Sequence, residues 1–165
     1  MKYKLVADSS ANIHTTHGMD VTYVPLKIVT DQKEYTDTTA LDVPDMLREL
    51  RQYKGKSSTA CPGISDWADA FEDADVVFGV AITSNLSGCY NAGRLAADEY
   101  MEAHPDRKAF ILDSLSTGPE MQLILEKYQE LIEEGKSFDE ICSEIRAYTE
   151  RTHLLFSLES LDNFA

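Results

Sequence analysis

The sequence has few basic residues and lacks a long apolar run. Lysine and arginine total 15 against 29 aspartates and glutamates, and the net charge of −14 is spread along 165 residues. This balance argues against nucleic-acid binding, whose affinity comes largely from cations on phosphates, and against a basic helix on a membrane surface. No apolar stretch approaches the roughly 20 residues of a membrane-spanning helix. The N-terminus has no apolar core of signal-peptide length, so no signal peptide is expected.

Residues that commonly hold metals or form disulfides are also sparse. The three cysteines, Cys61, Cys89 and Cys142, have no spacing typical of a disulfide framework or a zinc site. His104 and His153 lie far apart in the chain and suggest no metal site. The P-loop pattern Gly-x-x-x-x-Gly-Lys is absent as well. The composition therefore predicts a chain of the reducing cytoplasm that needs no metal and no cofactor.

Strand-like and helix-like segments alternate along the chain. Strand patterns cover Lys2–Ala7, Val21–Val29, Glu34–Thr36, Val76–Ile82, Ala109–Leu112 and Leu154–Leu158. Helical stripes run from Asp42 to Gly55, Ile64 to Phe71, Leu86 to Met101, Met121 to Ile132 and Ser137 to Tyr148. Pro25 marks the second strand as an edge or weak strand. This alternation predicts one α/β domain in three layers, with a mostly parallel sheet and helices on both faces.

Hydroxyl-rich loops are the most informative feature of the sequence. They read Asp8-Ser9-Ser10, Ser57–Pro62, Thr83–Gly88 and Asp113-Ser114. Three of the four directly follow a predicted buried strand. Because open α/β sheets bind ligands outside the carboxyl ends of their strands, these loops are expected to meet at one rim. Many hydroxyls and few charges suit a small anionic head group.

Each loop also has a purely structural interpretation. Ser87 and Gly88 precede a helix, whose free N–H groups and dipole favour anions, and Gly88 would let a ligand approach the backbone. Ser87 could equally be an ordinary helix cap. The Thr59 loop could be a turn followed by the cap of the next helix. Asp8 and Asp113 could be local acceptors that orient neighbouring hydroxyl and N–H groups.

A serine hydrolase is an alternative from another functional class. It would need Ser87 as nucleophile, Asp113 as the orienting acid and His14 or His17 as base. The Gly-x-Ser-x-Gly pattern of a nucleophile elbow is missing, because Gly88 follows Ser87 directly. The sequence therefore favours a binding protein over this enzyme.

Five motifs in order resemble those of the DegV family, and the likeness covers essentially the whole chain. They are Asp8-Ser9-Ser10-Ala11-Asn12, Val24-Pro25-Leu26, Thr59-Ala60-Cys61-Pro62, Ser84–Tyr90 and Asp113-Ser114. The segment Ser157–Leu161 is also similar to the family's Thr-Leu-Glu-x-Leu stretch.

The resemblance implies a bacterial fatty-acid-binding protein with no chemistry of its own. Related members are binding subunits of fatty acid kinase, which present the fatty acid carboxylate to a separate kinase subunit. The family's carboxylate-binding threonine and serine fall on Thr59 and Ser87, with Gly88 beside them. The supporting residues are expected to be Asp8, Ser9, Asp113 and Ser114.

The chain also departs from the family pattern. The usual Thr-Ser-Gln-Pro-Ser reads Thr59-Ala60-Cys61-Pro62-Gly63 here. The family's second domain, which supplies further head-group contacts and much of the acyl tunnel, is expected to be absent, so residues 1–165 would form the N-terminal domain alone. Burial of an acyl chain contributes about 0.8 kcal/mol per methylene, so half a tunnel predicts weak or no binding. A third hypothesis is an interaction domain that forms homodimers through apolar residues near Phe156, Leu158 and Phe164.

Overall fold

The computed structural model describes residues 1–12, 19–155 and 157. Its elements in chain order are β1 (Tyr3–Asp8), β2 (Val21–Val24), β3 (Lys27–Val29), β4 (Glu34–Thr36), α1 (Val43–Gln52), β5 (Ser58–Ala60), α2 (Ile64–Phe71), β6 (Val76–Ala81), α3 (Cys89–Ala103), β7 (Lys108–Asp113), α4 (Pro119–Glu133) and α5 (Phe138–Thr149). A short 3₁₀ turn, Ser9–Ala11, follows β1.

The main sheet has four parallel strands in the order β2–β1–β6–β7. All six residues of β6 are buried, as expected of a strand covered on both faces. On one face Phe78 packs with α4 and α5, and on the other Val77 packs with α2 and α3. The predicted three-layer α/β fold with a mostly parallel sheet is confirmed.

The prediction of one strand over Val21–Val29 is wrong. The chain breaks at Pro25, and the two halves join different sheets: β2 pairs with β1, whereas β3 pairs antiparallel with β4 and β5. Proline has no N–H for the ladder. The next amide, that of Leu26, donates to Ser9 Oγ at 3.0 Å instead of to a strand.

The second sheet has three strands in the order β4–β3–β5. The return strand predicted at Glu34–Thr36 is confirmed as β4. However, Ser58–Ala60 was expected to be loop and forms β5, so Thr59 lies in an edge strand opposite Ile28. A run of small polar residues has little intrinsic strand preference, and its pairing with β3 decides the conformation.

α2 and α3 pack closely against each other on one face of the main sheet. Trp67 of α2 is fully buried. A Cβ added to Gly93 of α3 would lie 3.0 Å from Cδ2 of the Trp67 ring, so the indole packs directly on the helix backbone. Glycine therefore allows the close contact that holds the second turn of α3 against α2.

Some of the predicted features fall partly or wholly outside the described residues. Leu154, Leu155 and Ser157 are not in a strand, because they pair with no described strand. His14, His17, Phe156, Leu158 and Phe164 lie outside the described residues. Across residues 1–12, 19–155 and 157, no helix is long and apolar enough to cross a membrane.

Candidate ligand-binding site

The carboxyl ends of β1, β6 and β7 meet at one edge of the main sheet. Ala7 is paired with Val80, and Ala81 with Asp113. The loops that follow these strands therefore lie side by side, as the sequence predicted for three of its four hydroxyl-rich loops. The fourth reaches the same region from the small sheet: Cys61 Sγ would lie 3.6 Å from a Cβ added to Gly88.

Asp8 is a buried carboxylate that ties these loops together. Its Oδ1 accepts from the Ser10 amide at 3.0 Å and from the Ser10 hydroxyl at 2.5 Å. Its Oδ2 accepts from the Ile82 amide at 2.6 Å and from the Cys89 thiol at 3.4 Å. Burial raises the pKa of Asp8, and these hydrogen bonds oppose the rise. One side chain thus links the ends of β1 and β6 to the start of α3.

The other expected supporting residues also hold loops by hydrogen bonds. Ser9 Oγ accepts from the Leu26 amide, as described above. Asp113 Oδ1 accepts from the amides of Ser84 at 3.0 Å and Leu115 at 3.1 Å. Ser114 Oγ donates to the Ser116 carbonyl at 2.9 Å. These contacts set the shape of the rim.

Ser87 and Gly88 lie at the N-terminus of α3, where Gly88 is the N-cap residue. Ser87 Oγ accepts from the Cys89 amide at 3.2 Å, so the serine helps to cap the helix. Gly88 has an ordinary φ of −72°, and an added Cβ would make normal contact with Cys61. The backbone conformation at this position therefore does not require glycine. The absence of a side chain leaves open space above the first turn of α3.

A cleft of about 530 Å³ extends from this helix end along the small sheet. Its hydroxyl end contains Ser10, Thr59 and Ser87, so the two residues expected to bind a carboxylate line one cavity. The rest of the lining is mainly apolar and comprises Leu26, Ile28, Tyr35, Leu41, Val43, Met46, Ile82 and Leu86, with Lys27, Asp37 and Cys61. Ser114 instead lines a separate cavity of about 610 Å³ on the far side of Leu86.

The sequence prediction missed the walls of this cleft, which come from β3, β4 and α1. One signal was present in the sequence. The apolar stripe of α1 was recognised in the sequence, and the structure leaves it incompletely covered: Val43, which lines the cleft, is 38% exposed. When some apolar side chains of such a stripe remain exposed to solvent, a cleft beside the helix is indicated.

The basic side chain of the cleft is neutralised, and the nearby thiol is unreactive. The ammonium group of Lys27 is paired with Glu34 at 2.7 Å. The Cys89 thiol is buried beside Asp8. Its burial, and to a smaller extent the negative charge of that carboxylate, raises the pKa of the thiol well above the ordinary range. A protonated, buried thiol is a poor nucleophile and a poor metal ligand. Among the described residues, no group of histidine, cysteine and acidic side chains could hold a metal ion.

The contacts of Ser87 and Asp113 differ from those of a catalytic triad. Asp113 is occupied by two backbone amides, and Ser87 Oγ accepts from the Cys89 amide. His104 contacts the Tyr100 carbonyl at the opposite end of α3, at 3.1 Å. His14 and His17, the candidate bases, are outside the described residues. In the described part of the chain, Ser87 therefore has no activating base.

Comparison with known proteins identifies similar chains. A family model described as an uncharacterised protein of the DegV family matches residues 2–165. A DegV domain-containing protein of Streptococcus pneumoniae is 40% identical over 167 aligned residues, which cover 99% of this chain and 59% of the relative. The chain thus spans less than two thirds of that relative's length.

Solved structures give the same result. A DegV family protein from Eubacterium eligens, loaded with heptadecanoic acid, is 48% identical with a TM-score of 0.86, over 90% of this chain and 54% of that chain. The Fatty Acid Kinase (Fak) B3 protein of Streptococcus pneumoniae, loaded with linoleic acid, is 36% identical with a TM-score of 0.84, over 91% of this chain and 55% of that chain.

Proposed function

This chain belongs to the DegV family, and on that premise we propose that it binds a long-chain fatty acid by its carboxylate. The carboxylate lies between Thr59 and Ser87, above Gly88, and the acyl chain follows the apolar walls of the cleft. One observation carries the proposal. Thr59, in β5 of the small sheet, and Ser87, in the loop after β6 of the main sheet, line the same mainly apolar cleft.

Both hydroxyls have the freedom to donate to a carboxylate. In the described part of the chain, Ser87 Oγ accepts a hydrogen bond from the Cys89 amide, and its own proton has no acceptor. No hydrogen bond of the Thr59 side chain occurs among the described residues. The N-terminus of α3 adds a positive dipole end and free N–H groups. The acidic surface beyond about 10 Å is largely screened by salt and does not oppose this local effect.

The relatives support this ligand class. The Eubacterium eligens protein was solved with heptadecanoic acid bound, and the Streptococcus pneumoniae protein with linoleic acid bound. Both share the fold of this chain and more than a third of the aligned residues. One of these is the Fak B3 protein. By this likeness we propose that the chain presents its fatty acid to a separate kinase subunit and performs no catalysis itself. Asp8, Ser9, Asp113 and Ser114 support the site by holding its loops.

We expect the hydroxyls to contribute most of the carboxylate affinity. Thr59→Val and Ser87→Ala each remove a hydrogen bond to a charged group, which contributes about 1.5–3 kcal/mol, so each should weaken fatty acid binding roughly 10-fold to 150-fold. Titration of ¹⁵N-labelled protein with a fatty acid measures this. Ser84→Ala, on the same loop but outside the cleft, is the matched control and should bind as the unmodified chain does.

Unchanged affinity in both variants would contradict the carboxylate site. The serine hydrolase predicts a different result, namely ester turnover that Ser87→Ala abolishes. Turnover of this kind without fatty acid binding would favour the enzyme instead.

Residues 1–165 by themselves should bind fatty acid more weakly than the whole Fak B3 protein does, since they match 55% of that chain. Each methylene that stays in water forgoes about 0.8 kcal/mol of stabilisation. We therefore expect a dissociation constant in the micromolar range or weaker. A sub-micromolar constant, measured by competition with a fluorescent fatty acid, would contradict this expectation.

A further inference from the structure

We propose that Tyr35 is a specificity-determining residue, whose ring closes the cleft opposite Ser87 and limits how many methylenes of the acyl chain the cleft can cover. This inference rests on the proposed function. It arises from the position of one aromatic ring between two cavities.

The register of the small sheet places Tyr35 in line with the carboxylate end. Ile28 is paired with Thr59 on one side and with Tyr35 on the other. Directly opposed residues of antiparallel strands share a face of the sheet, so the three side chains form one row along the cleft. Neighbouring strands are about 4.8 Å apart, which puts Tyr35 about 10 Å from Thr59 across the sheet. A ligand that starts at Thr59 and crosses Ile28 therefore meets Tyr35.

A polar groove of about 670 Å³ lies on the other side of Tyr35. Lys33, Glu49, Gln52, Tyr53 and Lys54 belong to its lining. Among the residues that the structure describes, Tyr35 is the one that lines both this groove and the apolar cleft. Its ring is thus the partition between the two spaces.

The ring is held in this position by its hydroxyl. Tyr35 Oη donates to Glu49 Oε2 at 2.7 Å, and Lys33 Nζ binds the same oxygen at 2.6 Å. The ammonium also lies 4.9 Å from the centre of the Tyr35 ring. The hydrogen bond to Glu49 raises the pKa of the phenol, which keeps it a neutral donor. Because the ring is 7% exposed and tethered at its tip, it cannot move aside freely for a longer chain.

Removal of the ring should join the cleft to the groove. With saturated fatty acids of eight to eighteen carbons, kept below their micelle concentrations, affinity should rise about fourfold per buried methylene until the chain reaches the partition. In Tyr35→Val this rise should continue to longer chains. Tyr35→Phe keeps the ring but loses the hydrogen bond to Glu49, so its profile should lie between those of Tyr35→Val and the unmodified chain. Amide chemical-shift titration of each ¹⁵N-labelled variant gives the affinities.

Tyr53→Val is the matched control, because Tyr53 lines the groove but not the cleft. It should leave the length profile unchanged. The same profile in Tyr35→Val and the unmodified chain would overturn the role of Tyr35 while leaving fatty acid binding intact. If no fatty acid shifts any amide of the unmodified chain, the proposed function itself fails.

A measurement on the unmodified chain does not depend on how well the variants fold. Stearic acid with a spin label near the carboxylate should broaden the amides from Ser87 to Tyr90 most strongly. With the label at mid-chain, the amides of Glu34–Thr36 in β4 should be broadened most. If the amides of β4 are broadened no more by the mid-chain label than by the label near the carboxylate, the acyl chain lies elsewhere and the inference is overturned.

Discussion

Asp8→Ala is expected to lower the free energy of unfolding by about 2–5 kcal/mol, because it leaves two amides without their acceptor. Those amides belong to the half-buried Ser10 and Ile82 and face the fully buried Asp8, and a donor left unpaired there costs about 1–3 kcal/mol. The Ser10 hydroxyl and the Cys89 thiol lose their acceptor as well. Urea unfolding followed by circular dichroism measures the change.

Asp113→Ala is the matched control for Asp8. Asp113 also accepts from two backbone amides, but it is only half-buried, and water can replace its hydrogen bonds. Its loss should cost about 1 kcal/mol or less. Equal losses in the two variants would show that burial of the Asp8 carboxylate contributes nothing to the stability of the rim.

The pH dependence of stability should carry the signature of Asp8. Burial raises its folded-state pKa above the ordinary 3.8, so the folded protein holds this proton more tightly than the unfolded chain does. The contribution of Asp8 to the free energy of unfolding is therefore fully present below about pH 4, and it is lost as the pH rises through the folded-state pKa. The stability difference between the unmodified chain and Asp8→Asn should shrink over that window. A difference that grows with pH would contradict the raised pKa.

Trp67→Ala should be the most damaging substitution in the apolar core, with a loss of about 3–5 kcal/mol in unfolding free energy. The indole is fully buried and fills the space between α2 and the backbone of α3. Its removal leaves a cavity beneath the first half of α3, so the Ser87–Gly88 end of the site should loosen too. Because Trp67 is the one tryptophan in the sequence, unfolding must be followed by circular dichroism rather than by tryptophan fluorescence.

Two glycines in the same region provide a steric test of this packing. Gly93→Ala places a methyl group 3.0 Å from the Trp67 ring and should cost about 1–3 kcal/mol. Gly88→Ala meets Cys61 Sγ at 3.6 Å and should leave stability nearly unchanged. If both substitutions were equally tolerated, the contact between Trp67 and α3 would be looser than the structure shows.

The predicted helices were confirmed where a local signal specified them. Ser137 and Glu140 form the capping box that the sequence indicated, with the Ser137 amide donating to Glu140 Oε2 at 2.8 Å. The apolar run of β6 and its place in the main sheet were equally clear. These features depend on residues a few positions apart, so the sequence contains the information needed to predict them.

The candidate site was only partly predictable. Rules for parallel sheets brought Asp8, Ser87 and Asp113 to one edge, and the family resemblance singled out Thr59 and Ser87. Their role as carboxylate ligands stays a prediction. The separation of Ser114 into a different cavity had no sequence signal, because it depends on the position of the Leu86 side chain.

By itself the sequence determined the order of the main elements, the parallel sheet, the hydroxyl-rich rim and the family. Local periodicity and short motifs are sufficient for these. Only the tertiary structure decided that the chain divides at Pro25 between two sheets. It also decided that Ile28 lies between Thr59 on one neighbouring strand and Tyr35 on the other. Pairing between distant short strands has no local pattern, since partners far apart in sequence set their register. That pairing forms the wall of the cleft and sets Tyr35 opposite the hydroxyl end.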